Sequence, residues 1–197
     1  KVRPKDHWGN QYIVTFTCEK TRWVYADFAR KKSDIKEAYK TFLEWVKLRG
    51  YAVRLLQSDN GGEYTSNEIS KVISEFQKIS VEYGVTQNFT CAYTPEQNGV
   101  AERLNRTLVE LARSLLVEAG MSEAFWSLAV KHVVYCRNRI WHKVHQTSAN
   151  VGASAYQVLY GEPPNIDHLR VWGCDAYRQP RWFTLELRVT GKAGFYS

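Results

Sequence analysis

Along this chain the spacing of apolar positions switches between a period of two and a period near 3.6, and the switches predict strands alternating with helices. After a basic lead from Lys1 to Lys5, the β-rich runs "QYIVTFTC" and "RWVYADFA" flank the polar turn Glu19, Lys20 and Thr21, the pattern of an antiparallel hairpin. Asp34 with Glu37 three residues later marks a helix start. Ile35, Ala38, Phe42 and Trp45 then recur on one face and Gly50 supplies the stop, so a first helix is expected over 34–49. "YAVRLLQS" predicts a third strand that ends at Asp59, and Ile69, Val72, Ile73 and Phe76 mark a second helix beyond the glycine turn.

Val85 to Thr90 predicts a short extended piece leading into the loop "AYTPEQNG". From Val100 a long helix carries Leu104, Leu108, Leu111 and Leu115 on one stripe until Gly120. Ser122 opens another helix, with Phe125, Leu128, Ala129 and Val133 facing inward and Arg137 and Arg139 near the C-terminal end, where cations suit the helix dipole. Residues 142–152 are expected as a linker, followed by a short helix around Ala155 to Leu159, a Pro163-Pro164 break and an apolar strand near Leu169 to Trp172. This order predicts an α/β core over 1–141 and a small linker and C-terminal extension over 142–197.

Composition narrows the picture. The 197 residues are 44% hydrophobic, enough for one domain with a sizeable core. Lys and Arg number 27 against 20 Asp and Glu, a net charge of +7 that favours a polyanionic partner. Cys18, Cys91, Cys136 and Cys174 lie far apart with no zinc-ligand spacing, and the five histidines are scattered without a nucleophile beside them. No apolar run approaches the ~18 residues needed to cross a bilayer, so no membrane partner is expected. The seven tryptophans are expected to pack the core and hairpin rather than stack on bases.

Two acids stand out. Asp59 ends an apolar run and is followed at once by Asn60, Gly61, Gly62 and Glu63, which presents a carboxylate at the rim of a sheet. Glu102 lies about 200° around the helical wheel from Leu104, on the outward side with Arg106 and Arg113, and is flanked by Arg103 and Asn105. If the two meet, their oxygens suit a divalent ion of the Mg²⁺ class and hence phosphoryl transfer. The plainer alternatives stay open at this point: Asp59 starting an Asx turn, Glu102 favouring a helix N-terminus by charge, and the arginines forming a solvated face.

Taken together, "SDNGGEYTSNEI", "YTPEQNGVAERLNRTLVELARSLL", "FWSLAV", "LYGEPPN" and "HLRVWGCDAY" follow one another as in copia-type retrotransposon integrases, and the chain resembles the catalytic core segment of that Pol polyprotein. The resemblance implies an RNase H-like fold, a mixed sheet flanked by helices, with two aspartates and a glutamate binding Mg²⁺ or Mn²⁺. It implies that Asp59 is the second catalytic aspartate and Glu102 the catalytic glutamate. It also implies that Arg103, Asn105 and Arg106 face DNA, and that Gln97 and Asn98 in the preceding mobile loop help position it. The implied chemistry is trimming of element DNA ends and strand transfer into target DNA, by a homo-multimer, in the nucleus. A non-catalytic DNA- or RNA-binding assembly module and an RNase H-type nuclease are the alternatives.

Three departures from the family pattern accompany the resemblance. The interval from Asp59 to Glu102 is longer than usual, with extra length between Ile69 and Val85 that a longer second helix or its loop would absorb. Cys18 and Glu19 stand where the family commonly has two aspartates, which are not the catalytic ones. The first catalytic aspartate should close a strand ahead of "GNQYIVTF". Asp6 is the only acid in that neighbourhood, and the charged, proline-containing "KVRPK" before it cannot read as a buried strand. The expectation is therefore an N-terminally truncated core lacking its first catalytic strand, inactive as a fragment.

Overall fold

The first hairpin is apolar on both faces, and a layer of helices covers each. The computed structural model describes residues 1–59, 67–90, 95–141 and 152–176. β1 (Tyr12–Thr17) and β2 (Val24–Ala29) pair antiparallel, with Tyr12 opposite Ala29 and Thr17 opposite Val24. Alternation sends Val24, Ala26, Phe28 and Ile13 to one face and Phe16 and Tyr25 to the other. This two-sided burial explains why both strands read as near-continuous apolar and aromatic runs rather than as apolar-polar alternation.

On the first face lie α3 (Pro95–Glu118) and α4 (Trp126–Arg137), the latter entered through a 3₁₀ turn at Glu123–Phe125 whose Ala124 N–H is met by the Ser122 hydroxyl. Leu104, Leu108, Ala112 and Leu116 of α3 close on Val24 and on Trp126, Ala129, Val130, Val133 and Val134 of α4. The stripe thus advances by fours. Leu111, expected inward, is half exposed, because a step of four drifts by about 40° per turn and carries the contact line toward Ala112. On α4 the same drift leaves Leu128 partly exposed and brings Ser127 inside.

On the second face lies α1 (Ile35–Lys47), where Phe42 stacks on Phe16 with ring centroids 4.3 Å apart. Tyr39, fully buried, and Leu43 carry this layer onto Val85, with Leu56 of β3 (Leu55–Asp59) and Phe76 and Ile79 of α2 (Asn67–Glu82) packed around them. The Tyr39 hydroxyl bonds the Ser80 hydroxyl at 2.9 Å, and the Gln87 amide donates to the same Ser80 oxygen at 2.7 Å, pinning α1, α2 and β4 (Thr86–Thr90) to one another. α2 runs unbroken for 16 residues through the region of extra length. The inward positions expected at Ile69, Val72 and Ile73 lie outside the described side chains. β3 and β4 pair in parallel, Leu55 opposite Thr86 and Asp59 opposite Thr90. Both senses of pairing are present, in two two-stranded sheets among the described residues.

Two boundaries differ from expectation. α3 begins at Pro95, not Val100: proline has no N–H to lose at a first helical position and Glu96 suits the positive end of the helix, which outweighs the loop propensities of Asn98 and Gly99. Leu169 to Trp172 forms turns instead of a strand. Val171 is largely exposed, Trp172 packs on the α3/α4 core, and Gly173 takes a left-handed φ of 75° where its backbone closes on Ala119. The segment has turn bonds, Leu169 N–H to Ile166 and Cys174 N–H to Val171, in place of a ladder. α5 (Ala155–Tyr160), capped by the Ser154 hydroxyl, returns to the hairpin end, where Tyr160 meets Trp23 edge-on and Tyr51 bonds the Leu159 carbonyl.

α4 ends on Asn138, 2% exposed, whose carboxamide oxygen accepts from the Val24 N–H at 2.9 Å and whose NH₂ donates to the Val24 carbonyl at 2.8 Å. Replacing it with alanine strands a buried donor and a buried acceptor. Asn138→Ala is expected to cost about 2–4 kcal/mol, seen as a lowered urea midpoint with an unchanged slope.

Candidate metal and nucleic-acid site

The rim formed by the ends of β3 and β4 carries Asp59, and Glu102 lies on α3, the helix that follows β4. Parallel pairing puts Asp59, the last residue of β3, beside Thr90, the last residue of β4, and α3 begins five residues after Thr90. A side chain at the C-terminal end of a parallel strand next to the start of a helix is in the usual position for a ligand site in an α/β fold. The Asp59 side chain lies outside the described residues, as do those of Gln97 and Asn98. The backbone of Gln97 and Asn98 belongs to the first turn of α3 and not to a loop, because the helix starts at Pro95.

Glu102, Arg103 and Arg106 are all exposed. Among the described residues Glu102 makes neither an ion pair nor a hydrogen bond, and the ion pair there joins Lys36 to Glu75 at 3.0 Å on other helices. The exposed Arg103 and Arg106 are compatible with the solvated face named as the plainer alternative. Asn105 is different: its carboxamide oxygen accepts from the Thr15 hydroxyl at 2.9 Å. Expected to face DNA, it is exposed like Glu102, about 60° away around the wheel, and its oxygen is engaged on β1. That contact fixes this part of α3 against the hairpin.

Asp6 is committed elsewhere. Only 5% exposed, its Oδ1 accepts from the backbone N–H groups of Trp8 and Asn10 at 3.0 and 2.6 Å, and its Oδ2 from the Asn10 amide at 2.8 Å. Burial pushes its carboxyl up, but hydrogen bonds from Ser127, from the Asn10 side chain and backbone and from the Trp8 backbone outweigh this and hold it below the usual aspartate value. The basic lead is docked by the same region: His7 N–H bonds the Ala124 carbonyl and Trp126 Nε1 donates to the Pro4 carbonyl. Asp6 thus organises a turn and ties it to α4. Sequence alone could have found this, since an aspartate two to four residues ahead of polar N–H groups and a glycine is an Asx-turn signal.

Among the described residues no three His, Cys, Asp or Glu side chains gather as a metal cluster. No helix among them is long and apolar enough to cross a membrane. Trp23 stacks on Trp45 at 6.0 Å and Trp126 lies edge-on to Phe28 at 5.3 Å, as expected, whereas Trp8 and Trp141 are exposed.

Residues 1–95 match the integrase core domain family. The chain is 34% identical over 173 residues to the retrovirus-related Pol polyprotein from transposon TNT 1-94 of Nicotiana tabacum, covering 86% of this chain and 12% of that protein. It is 31% identical over 169 residues to the corresponding polyprotein from transposon RE2 of Arabidopsis thaliana, and 32% identical over 173 residues to that from transposon RE1, covering 85% and 87% of this chain. Each of the two matches spans 11% of the relative's length.

Because the Asp6 carboxyl is held low, its contribution to stability is complete above the unfolded-state value and is lost as pH falls through the lowered folded value. Asp6→Asn should be less stable than the parent by about 1–3 kcal/mol at neutral pH. The gap should close on acidification, and urea titrations of both proteins across that range check it.

Proposed function

This chain belongs to the integrase core family of retrovirus-related Pol polyproteins, and on that premise we propose that it carries two metal-binding carboxylates and part of the DNA-binding surface of a copia-type integrase. The observation that carries the proposal is the geometry of one rim. A parallel strand ends on Asp59, and the neighbouring strand ends on Thr90, five residues before a helix bearing an exposed, unpaired Glu102 that is followed by Arg103 and Arg106. An all-oxygen pair of carboxylates fits Mg²⁺ or Mn²⁺, which needs few protein ligands when water and phosphate complete the shell. When bound, such an ion would polarise the phosphate and the attacking oxygen.

The remaining work falls to the chain itself. Arg103 and Arg106, exposed beside Glu102, hold the phosphate backbone and give affinity without reading bases. The bond between Asn105 and Thr15 sets where that arginine pair sits relative to the hairpin. The substrates are then element DNA ends and target DNA, the reactions end trimming and strand transfer, the compartment the nucleus and the working form a multimer. Asn98 and Gln97, in the first turn of the same helix, are placed to contact the same backbone. A non-catalytic assembly module that binds DNA or RNA is the second reading, favoured by Asp6, the acid near the start of the hairpin, having both carboxylate oxygens engaged in hydrogen bonds.

A strand-transfer assay with Mn²⁺ and short DNA ends, with DNA binding recorded in the same samples, separates the two. Joined products that disappear in Asp59→Asn and in Glu102→Gln support the integrase; binding without joining supports the assembly module. In either case Arg103→Ala combined with Arg106→Ala should lower affinity for all sequences alike and reduce the salt slope by about two.

A further inference from the structure

We propose that the outer edge of β2 receives an extended acidic peptide from a partner protein, added as a short strand; this goes beyond the integration reading and does not depend on it. The Cys18 N–H bonds the Trp23 carbonyl at 2.9 Å, so Trp23, Tyr25 and Asp27 turn their backbone groups toward β1, and Val24, Ala26 and Phe28 turn theirs away from it. The outward groups are met by side chains at both ends. Asn138 bonds the Val24 N–H and carbonyl just as a neighbouring strand would, and the Asp27 carboxylate accepts from the Phe28 N–H at 2.8 Å. Between them the outward N–H and carbonyl of Ala26 receive no hydrogen bond among the described residues.

That opening faces a groove. A cavity of about 420 Å³ lies against Val24 to Asp27, and a second of about 280 Å³ continues past Phe28 toward Trp8 and Asn10. Asp27 and Lys131 belong to both walls, so the two are successive stretches of one trough along β2. Its cations are Arg49, Lys131 and Arg139 against the single acid Asp27, a balance that suits an acidic occupant. A nucleic-acid strand would also be acidic, but base stacking needs open ring faces. Here the Arg49 guanidinium lies 4.1 Å over Trp45, and that of Arg139 lies 3.4 Å over Tyr135 and 4.9 Å over Tyr156. The unpaired amide edge and the occupied rings together favour a peptide backbone, the mode in which main-chain bonds give affinity and flanking side chains give selectivity.

The probe is a fluorescent peptide of alternating Glu and Val, titrated against the full chain by anisotropy, with amide exchange at Ala26 followed by NMR. Binding, slowed exchange of the Ala26 N–H, and a weakening of about tenfold or more in both Lys131→Glu and Ala26→Pro are expected. Proline removes the outward donor at an edge position, which leaves the β1 ladder intact. If Ala26→Pro does not fold, the exchange measurement on the parent protein decides alone. Equal binding of a Lys-Val peptide, unchanged exchange at Ala26, displacement by a single-stranded oligonucleotide, or no binding at all would overturn the proposal.

Discussion

A hairpin packed on both faces must find partners for the buried end of its free edge, and the rest of this structure is arranged around that constraint. The helix pair α3/α4 and the helix α1 exclude water from the two faces of β1 and β2. The outward groups of Val24, 1% exposed, must then be met from within. Asn138 meets them, and it can do so only because α4 ends beside that strand. The position of α4 in turn sets that of α3, against which it packs through Leu108 and Val130, and so sets the direction in which Glu102 and its arginines face.

The element order was legible because the period of the apolar residues changes cleanly at each junction. Tyr12 to Thr17 and Val24 to Ala29 are short runs rich in β-branched and aromatic residues bounded by polar turns, and Ile35 to Lys47 carries a helical stripe closed by glycine. Finer choices depended on packing that periodicity does not contain. Leu111 and Ala112 are both acceptable on an apolar face, and the approach of α4 decides that the smaller one is inside. Leu169 to Trp172 has strand composition, but the packing of Trp172 on His132 and the close approach of Gly173 to Ala119 fold the segment into turns. The start of α3 was missed because Asn98 and Gly99 weigh toward a loop while Pro95 stabilises a helix from its first residue.

For the site, the residue types and their order in sequence were readable, and their engagements were not. Glu102 could be placed on the outward side of α3 from the wheel alone. Nothing in the spacing could show that Asn105, one turn on, reaches across to Thr15, since the two are 90 positions apart. Asp6 illustrates the reverse case. As an acid near the start of the hairpin it invited a chemical role, but its oxygens are filled by Trp8, Asn10 and Ser127, and a carboxylate so fully bonded has little left to offer a ligand.

The interior is divided, with one cluster centred on Leu108 and Val130 and another on Tyr39 and Leu43. β3, which ends on Asp59, is seated in the second, and α3, which bears Glu102, is seated in the first. The two acids are therefore like posts on separate foundations: a substitution in either cluster touches the support of one and not that of the other.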